Sequence, residues 1–162
     1  MEWATLSKLT GNSTYKILSE NAAKRIAQNP APLPGLAAQG IDPRTGNAVG
    51  AYVSWGGASD SYLEYLIKYP RLDPTVDPIF LNTWKTAVDS SIKFLLKNST
   101  IGGHAYLAEF GDDRKIHHVG GHLTCFHGGN WILGGQLLGN RTITNIGLQL
   151  IDACWNMYAS TA

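Results

Sequence analysis

Residues 77–98, "DPIFLNTWKTAVDSSIKFLLKN", constrain this chain most. Phe80, Trp84, Ala87, Val88, Ser91 and Leu95 recur at helical spacing, Asp77-Pro78 supplies an N-cap and a first-turn proline, and the pattern predicts a helix running to Asn98. A second stripe, Ile143, Ile146, Leu150, Cys154 and Met157 in "TITNIGLQLIDACWNMYA", predicts another. Helices with one apolar face must bury it against each other, so an all-α bundle or barrel is the architecture these stretches favour.

The segments between them agree. "STYKILSENAAKRIAQ" carries Ile17, Leu18, Ala22 and Ile26 near helical period and is stopped by the three prolines of "NPAPLPG". "GNAVGAYVSW" alternates Val49, Ala51 and Val53 and predicts a short strand. "GHAYLAEFGDDRKIHHVG" reads as a β-hairpin around Gly111–Arg114, inserted between helices. "TCFHGGNWILGGQLLG" has five glycines, which let a helix bring its backbone close to a neighbour.

At 162 residues and 44% hydrophobic content the chain can bury a real core as one globular unit. Thirteen basic against twelve acidic side chains create no field for nucleic acid or an anionic membrane surface, so a neutral partner is expected. No stretch is long and apolar enough for a membrane segment, and no signal peptide is visible. Three Asn-x-Thr sequons, at Asn12, Asn98 and Asn140, point to the secretory pathway. Cys125 and Cys154 could close one disulfide or remain two buried thiols.

The stretch "WGGASDSYLEYLIKYP" poses the functional question. Ser61-x-x-Glu64 matches a capping box, which explains Glu64 structurally and leaves Asp60 just outside the helix, at its positive end. A carboxylate held ionised there suits a general base or a residue that orients a water. Capping is the commoner use of such acids. His117, His118, His122, Cys125 and His127 fall close together, but their spacing fits no common zinc pattern, and His122 on an apolar segment reads first as a hydrogen-bonded core histidine. No phosphate loop, nucleophile elbow or dinucleotide fingerprint is present.

Taken together, "WGGASDSYLEYLIKYP", "GGHLTCFHGG" and "LIDACWNMY" resemble the class I α-1,2-mannosidases of glycoside hydrolase family 47, and among them the secreted fungal members. "EWATLSKLTGNSTY" and "PLPGLAAQGIDPRTG" extend the resemblance over nearly the whole chain. It implies part of an (α/α)7 barrel and calcium-dependent hydrolysis, with inversion, of terminal α-1,2-linked mannose from high-mannose N-glycans. Asp60 falls on the family's catalytic aspartate, and Glu64, Glu2 and His122 fall on residues that line the sugar pocket. Cys125 and Cys154 match its disulfide pair. Ala58 stands where enzymes restricted to removing one mannose carry arginine, which implies broader trimming.

The family's other catalytic glutamates and its calcium-binding threonine have no counterpart here. Residues 1–162 are therefore expected to be one internal piece of a catalytic domain, incomplete at both ends and inactive alone, from a monomeric enzyme secreted or held in the secretory lumen. No metal ligand is assigned within the chain. The competing expectations are a lectin-like module that grips mannose without cleaving it, and a purely structural helical domain.

Overall fold

The computed structural model describes residues 1–161. Six α-helices carry the architecture: α1 (Glu2–Thr10), α2 (Thr14–Gln28), α3 (Asp60–Leu72), α4 (Ile79–Phe94), α5 (Phe126–Leu137) and α6 (Arg141–Ala159). Between them lie three antiparallel strand pairs, β1 (Gly40–Ile41) with β2 (Ala48–Val49), β3 (Leu96–Asn98) with β4 (Ala105–Leu107), and β5 (Glu109–Phe110) with β6 (Ile116–His117). A 3-10 turn, His122–Cys125, leads into α5.

The core forms where α3, α4, α5 and α6 meet. The expected stripe of α4 is buried: Phe80, Trp84, Ala87, Val88, Ser91 and Leu95 all face inward. Trp131 of α5 meets Trp55 edge to face at 5.5 Å between centroids. Two of these three buried indoles have a hydrogen-bond partner, whereas the Trp131 Nε1–H has none among the described residues. Trp84 donates its Nε1–H to Asn130 Oδ1 at 2.9 Å, and Trp55 donates to Ser91 Oγ at 2.8 Å, whose hydroxyl donates to the Ala87 carbonyl at 2.7 Å.

Glycine decides how close α5 approaches its neighbours. A Cβ on Gly134 would fall inside the Trp84 ring, and one on Gly128 would stand 3.0 Å from the Gly147 carbonyl oxygen of α6. Gly147 is equally tight in return, at 2.9 Å from the Gly128 carbonyl oxygen. The glycine-rich composition that lowers helix propensity is thus what permits this helix pair to lie backbone to backbone.

Several local expectations are corrected. Helix α4 stops at Phe94 rather than Asn98, because Leu96–Asn98 is taken by pairing with Ala105–Leu107. The predicted hairpin is real over β5 and β6, but its N-terminal part belongs to that other pair. In the predicted strand at 49–53, Ala51 and Val53 are buried while Val49 is exposed, and Val53 bridges to Phe110 instead of extending β2. Met157 of the α6 stripe is exposed.

Helix α2 is the largest departure. Its apolar residues Ile17 and Leu18 face outward at 52% and 57% exposure. The inward side is polar: Lys16 pairs with Asp73 at 2.6 Å, Lys24 with Asp77 at 3.2 Å, and Tyr69 donates to Glu20 Oε1 at 2.6 Å. Periodicity locates an amphipathic helix but does not say which face meets the rest of the molecule.

Candidate active site

Helix α3 begins at Asp60, with Ser59 at the N-cap, so Asp60 is the first helical residue rather than a residue outside the helix. The amides of Ser59 and Asp60 donate to the Gly56 carbonyl at 3.2 and 3.0 Å, which makes a tight turn of "GGAS" and starts the helix. Ala58 completes this turn in the left-handed region, at φ 72°. The amide of Gln39 holds the next carbonyl, Gly57, at 2.7 Å.

The expected capping box is absent: no side chain caps α3, and Glu64 instead accepts from Lys68 at 2.5 Å, one turn onward. With Ser59 at the N-cap, Ser61 lies inside the helix and Glu64 is too far along to close the box, while a lysine four residues C-terminal to a glutamate is the favourable order for an ion pair on a helix. Asp60 and Glu64 share one helix face, with Cβ atoms about 5–6 Å apart as i, i+4 geometry dictates. Their circumstances differ. Glu64 is ion-paired, whereas the Asp60 side chain has no hydrogen-bond or ion-pair partner among the described residues, half-buried at the positive end of α3.

Glu2 reaches the same helix from α1. It accepts a hydrogen bond from the Tyr65 hydroxyl, which, with its own backbone N–H, holds its carboxyl down to about 2. The contact brings Glu2 to the residue that follows Glu64. Tyr65 had no sequence signal beyond its place in the aromatic run.

His122 opens the 3-10 turn and is exposed rather than buried in the core. Its Nδ1 meets the Tyr158 hydroxyl of α6, and the two rings stand edge to face at 5.9 Å. Cys125 and Cys154 are disulfide-bonded with Cα atoms 5.8 Å apart, so the turn is tied to α6 twice, one helical turn apart on each side. This turn packs on the loop that precedes Asp60: a Cβ on Gly56 would come 2.8 Å from Thr124 Cγ2, and one on Gly57 3.7 Å from Leu123 Cδ2. The turn that carries His122 therefore packs on the loop leading into Asp60, while Glu2 reaches α3 from α1.

The other histidines scatter. His117 meets Asp113 at 2.9 Å, His118 meets the Tyr106 hydroxyl at 2.8 Å, and His127 is buried in α5, where desolvation lowers its imidazole to about 4. Among the described residues, no group of three or more His, Cys, Asp or Glu is placed to hold a metal ion. The carboxylates of α3 do not on their own provide a calcium site. The three sequon asparagines are exposed, and two of them already have local duties: Asn12 Oδ1 accepts from the Thr14 amide at 3.0 Å, and Asn140 caps α6 through the Ile143 amide at 3.2 Å.

The chain and its helical fold have counterparts among known proteins. The profile of Glycosyl hydrolase family 47 matches residues 1–162, and the chain belongs to that family. It is 39% identical to the mannosyl-oligosaccharide alpha-1,2-mannosidase of Coccidioides posadasii, over 100% of this chain and 32% of that one. It is 37% identical to mannosyl-oligosaccharide alpha-1,2-mannosidase 1B of Emericella nidulans, over 99% of this chain and 33% of that protein. Among solved structures it superposes on the alpha-1,2-mannosidase from Trichoderma reesei with a TM-score of 0.88 at 31% identity, covering 94% of this chain and 32% of that one. The chain thus spans about a third of the length of the relatives it matches. The expected fold, all-α and part of an (α/α)7 barrel, holds, and the one expected β-hairpin is joined by two further strand pairs among the described residues.

Proposed function

We propose that residues 1–162 form one part of the catalytic domain of an inverting α-1,2-mannosidase acting on terminal α-1,2-linked mannose of high-mannose N-glycans. The observation that carries this reading is the contrast on α3 between a paired Glu64 and an unpaired Asp60 at the helix N-terminus. An ionised carboxylate that no neighbouring cation occupies is free to accept a proton from water.

Asp60 orients or deprotonates the attacking water. Glu64, fixed by Lys68, accepts hydrogen bonds from sugar hydroxyls, and Glu2, fixed by Tyr65, does the same from the α1 side. His122 adds a hydrogen-bonding group at the rim. Inversion requires an acid and a base about 6.5–9.5 Å apart across the bond, and two acids one turn apart on a helix stand too close for that pair. The partner acid accordingly belongs to chain outside these residues. Calcium, which the family resemblance implies, would polarise sugar hydroxyls; no step here passes through it. Glycosylation at Asn12, Asn98 or Asn140 and a place in the secretory lumen or outside the cell accompany this reading.

The test is product analysis by proton NMR on high-mannose glycan incubated with the full-length protein that contains residues 1–162. Initial release of β-mannose supports inverting hydrolysis. A glycan bound and returned intact would point instead to a lectin-like role. In protein with the activity, Asp60→Asn lowers kcat by orders of magnitude with the fold preserved; unchanged turnover would remove Asp60 from the mechanism.

A further inference from the structure

The loop that sets Asp60 is held from behind by the β5–β6 hairpin, through contacts that neither the family resemblance nor the local motifs point to. Strand β5 pairs with the segment leading into the loop: the Val53 amide donates to the Phe110 carbonyl at 2.8 Å and the Phe110 amide to the Val53 carbonyl at 2.9 Å. From the same strand Glu109 extends a carboxylate that accepts twice, from the Tyr52 hydroxyl at 2.6 Å and from the Ser54 hydroxyl at 3.1 Å. Asp112, in the hairpin turn, accepts from the Ala51 and Tyr52 amides at 2.7 and 3.0 Å.

Ser54 passes the restraint on. With its hydroxyl proton committed to Glu109, its oxygen accepts from the Gly56 amide at 2.9 Å, and the Gly56 carbonyl in turn receives the Ser59 and Asp60 amides. Ser54 itself is buried, so this relay is shielded from competing water. Glu109 sets the direction of the Tyr52 and Ser54 hydroxyl bonds, because an ionised carboxylate can only accept, and the backbone N–H and C=O groups complete the relay in the one direction open to them.

We infer that Glu109 is a positioning residue for Asp60: its carboxylate orients Ser54, which fixes the Gly56 peptide and thereby the first turn of α3. The inference rests on the reading of Asp60 as a catalytic group, but its structural half stands by itself.

Hydrogen exchange at the Gly56, Ser59 and Asp60 amides, followed by NMR, tests that half. Glu109→Leu accelerates these three by roughly tenfold or more while the amides of α4 and α5 keep their protection. Glu109→Gln, whose carbonyl can accept from Tyr52 while its amide donates to Ser54, restores most of the protection. Unchanged exchange in a folded Glu109→Leu protein overturns the proposal, as does a Gln variant no better than Leu. Should the leucine variant not fold, Ser54→Ala decides: an unaltered Gly56 amide rate there overturns it equally. In protein with mannoside-cleaving activity, Glu109→Leu lowers kcat with KM little changed, and Gln recovers it. Absence of cleavage by the unsubstituted full-length protein that contains residues 1–162 would refute the catalytic reading of Asp60 and leave the amide rates to judge the role of Glu109.

Discussion

The α4–α5–α6 part and the α1–α2 part of this molecule are both helical, yet they are held by different forces. In the first, Trp84, Trp131 and Leu150 are fully enclosed, and glycines bring backbones into direct contact. In the second, Ser7 accepts from the Lys16 amide at 2.7 Å, and Lys16, Glu20 and Lys24 form a polar seam against Asp73, Tyr69 and Asp77, while Leu9, Ile17 and Leu18 face away. One part is set by shape and the other by charge. Apolar burial is worth more and is less forgiving of volume changes than partly exposed ion pairs, so stability resides mainly in the first.

That contrast breaks most sharply at Trp84. Trp84→Ala removes a fully buried ring and leaves Asn130 Oδ1 without its donor, and should cost about 3–5 kcal/mol in urea unfolding. Gly134→Ala should cost about 1–3 kcal/mol, since the added methyl meets the Trp84 ring; Gly129→Ala on the same helix, with open space around it, should be neutral or slightly stabilising. A Gly134→Ala protein as stable as its parent would mean that α5 can shift away from α4.

Acid separates the two parts next. His127 is lowered by burial from 6.5 to about 4, so between those values the unfolded chain takes up a proton that the folded chain does not, and stability falls as the pH drops through this window. Asp73 is lowered from 3.8 to about 2, chiefly by its hydrogen bond from Lys16. Its contribution is complete above about 4 and is lost as pH falls through about 2. Urea midpoints measured from pH 7 to 4 should decline in the parent and flatten in His127→Gln, with Lys16→Met leaving that window untouched. The smallest effect is on the outer face of α2: Ile17→Ser and Leu18→Ser should each change unfolding free energy by no more than about 0.5 kcal/mol. A loss of several kcal/mol would show that this face is covered in solution.

These differences explain what could be read in advance. The α4 stripe was legible because a helix buried along one face writes that face into its spacing. The α2 stripe has the same spacing and faces outward, since nothing in a period of 3.6 distinguishes a neighbour within the chain from any other cover. The Ser61–Glu64 box failed because the Gly56 turn starts α3 at Asp60, with Ser59 at the N-cap, which puts Ser61 inside the helix and leaves Glu64 to Lys68. His122 was misplaced to the core for a related reason: the apolar letters around it belong to a 3-10 turn whose outer side is open. Glu109 and Tyr65 carried no signal, because their partners lie 55 to 63 residues away in the chain.

The sequence alone determined the helices, the glycine-rich close approach, the family and the acids at the start of α3, because these depend on residue types at short, fixed separations. Only the tertiary structure decided which helix faces are covered, that Asp60 opens α3 unpaired while Glu64 is held by Lys68, and that a hairpin grips the loop between them and the core. Those outcomes are settled by contacts between distant segments competing for the same side chains, and that competition is resolved by the folded chain as a whole.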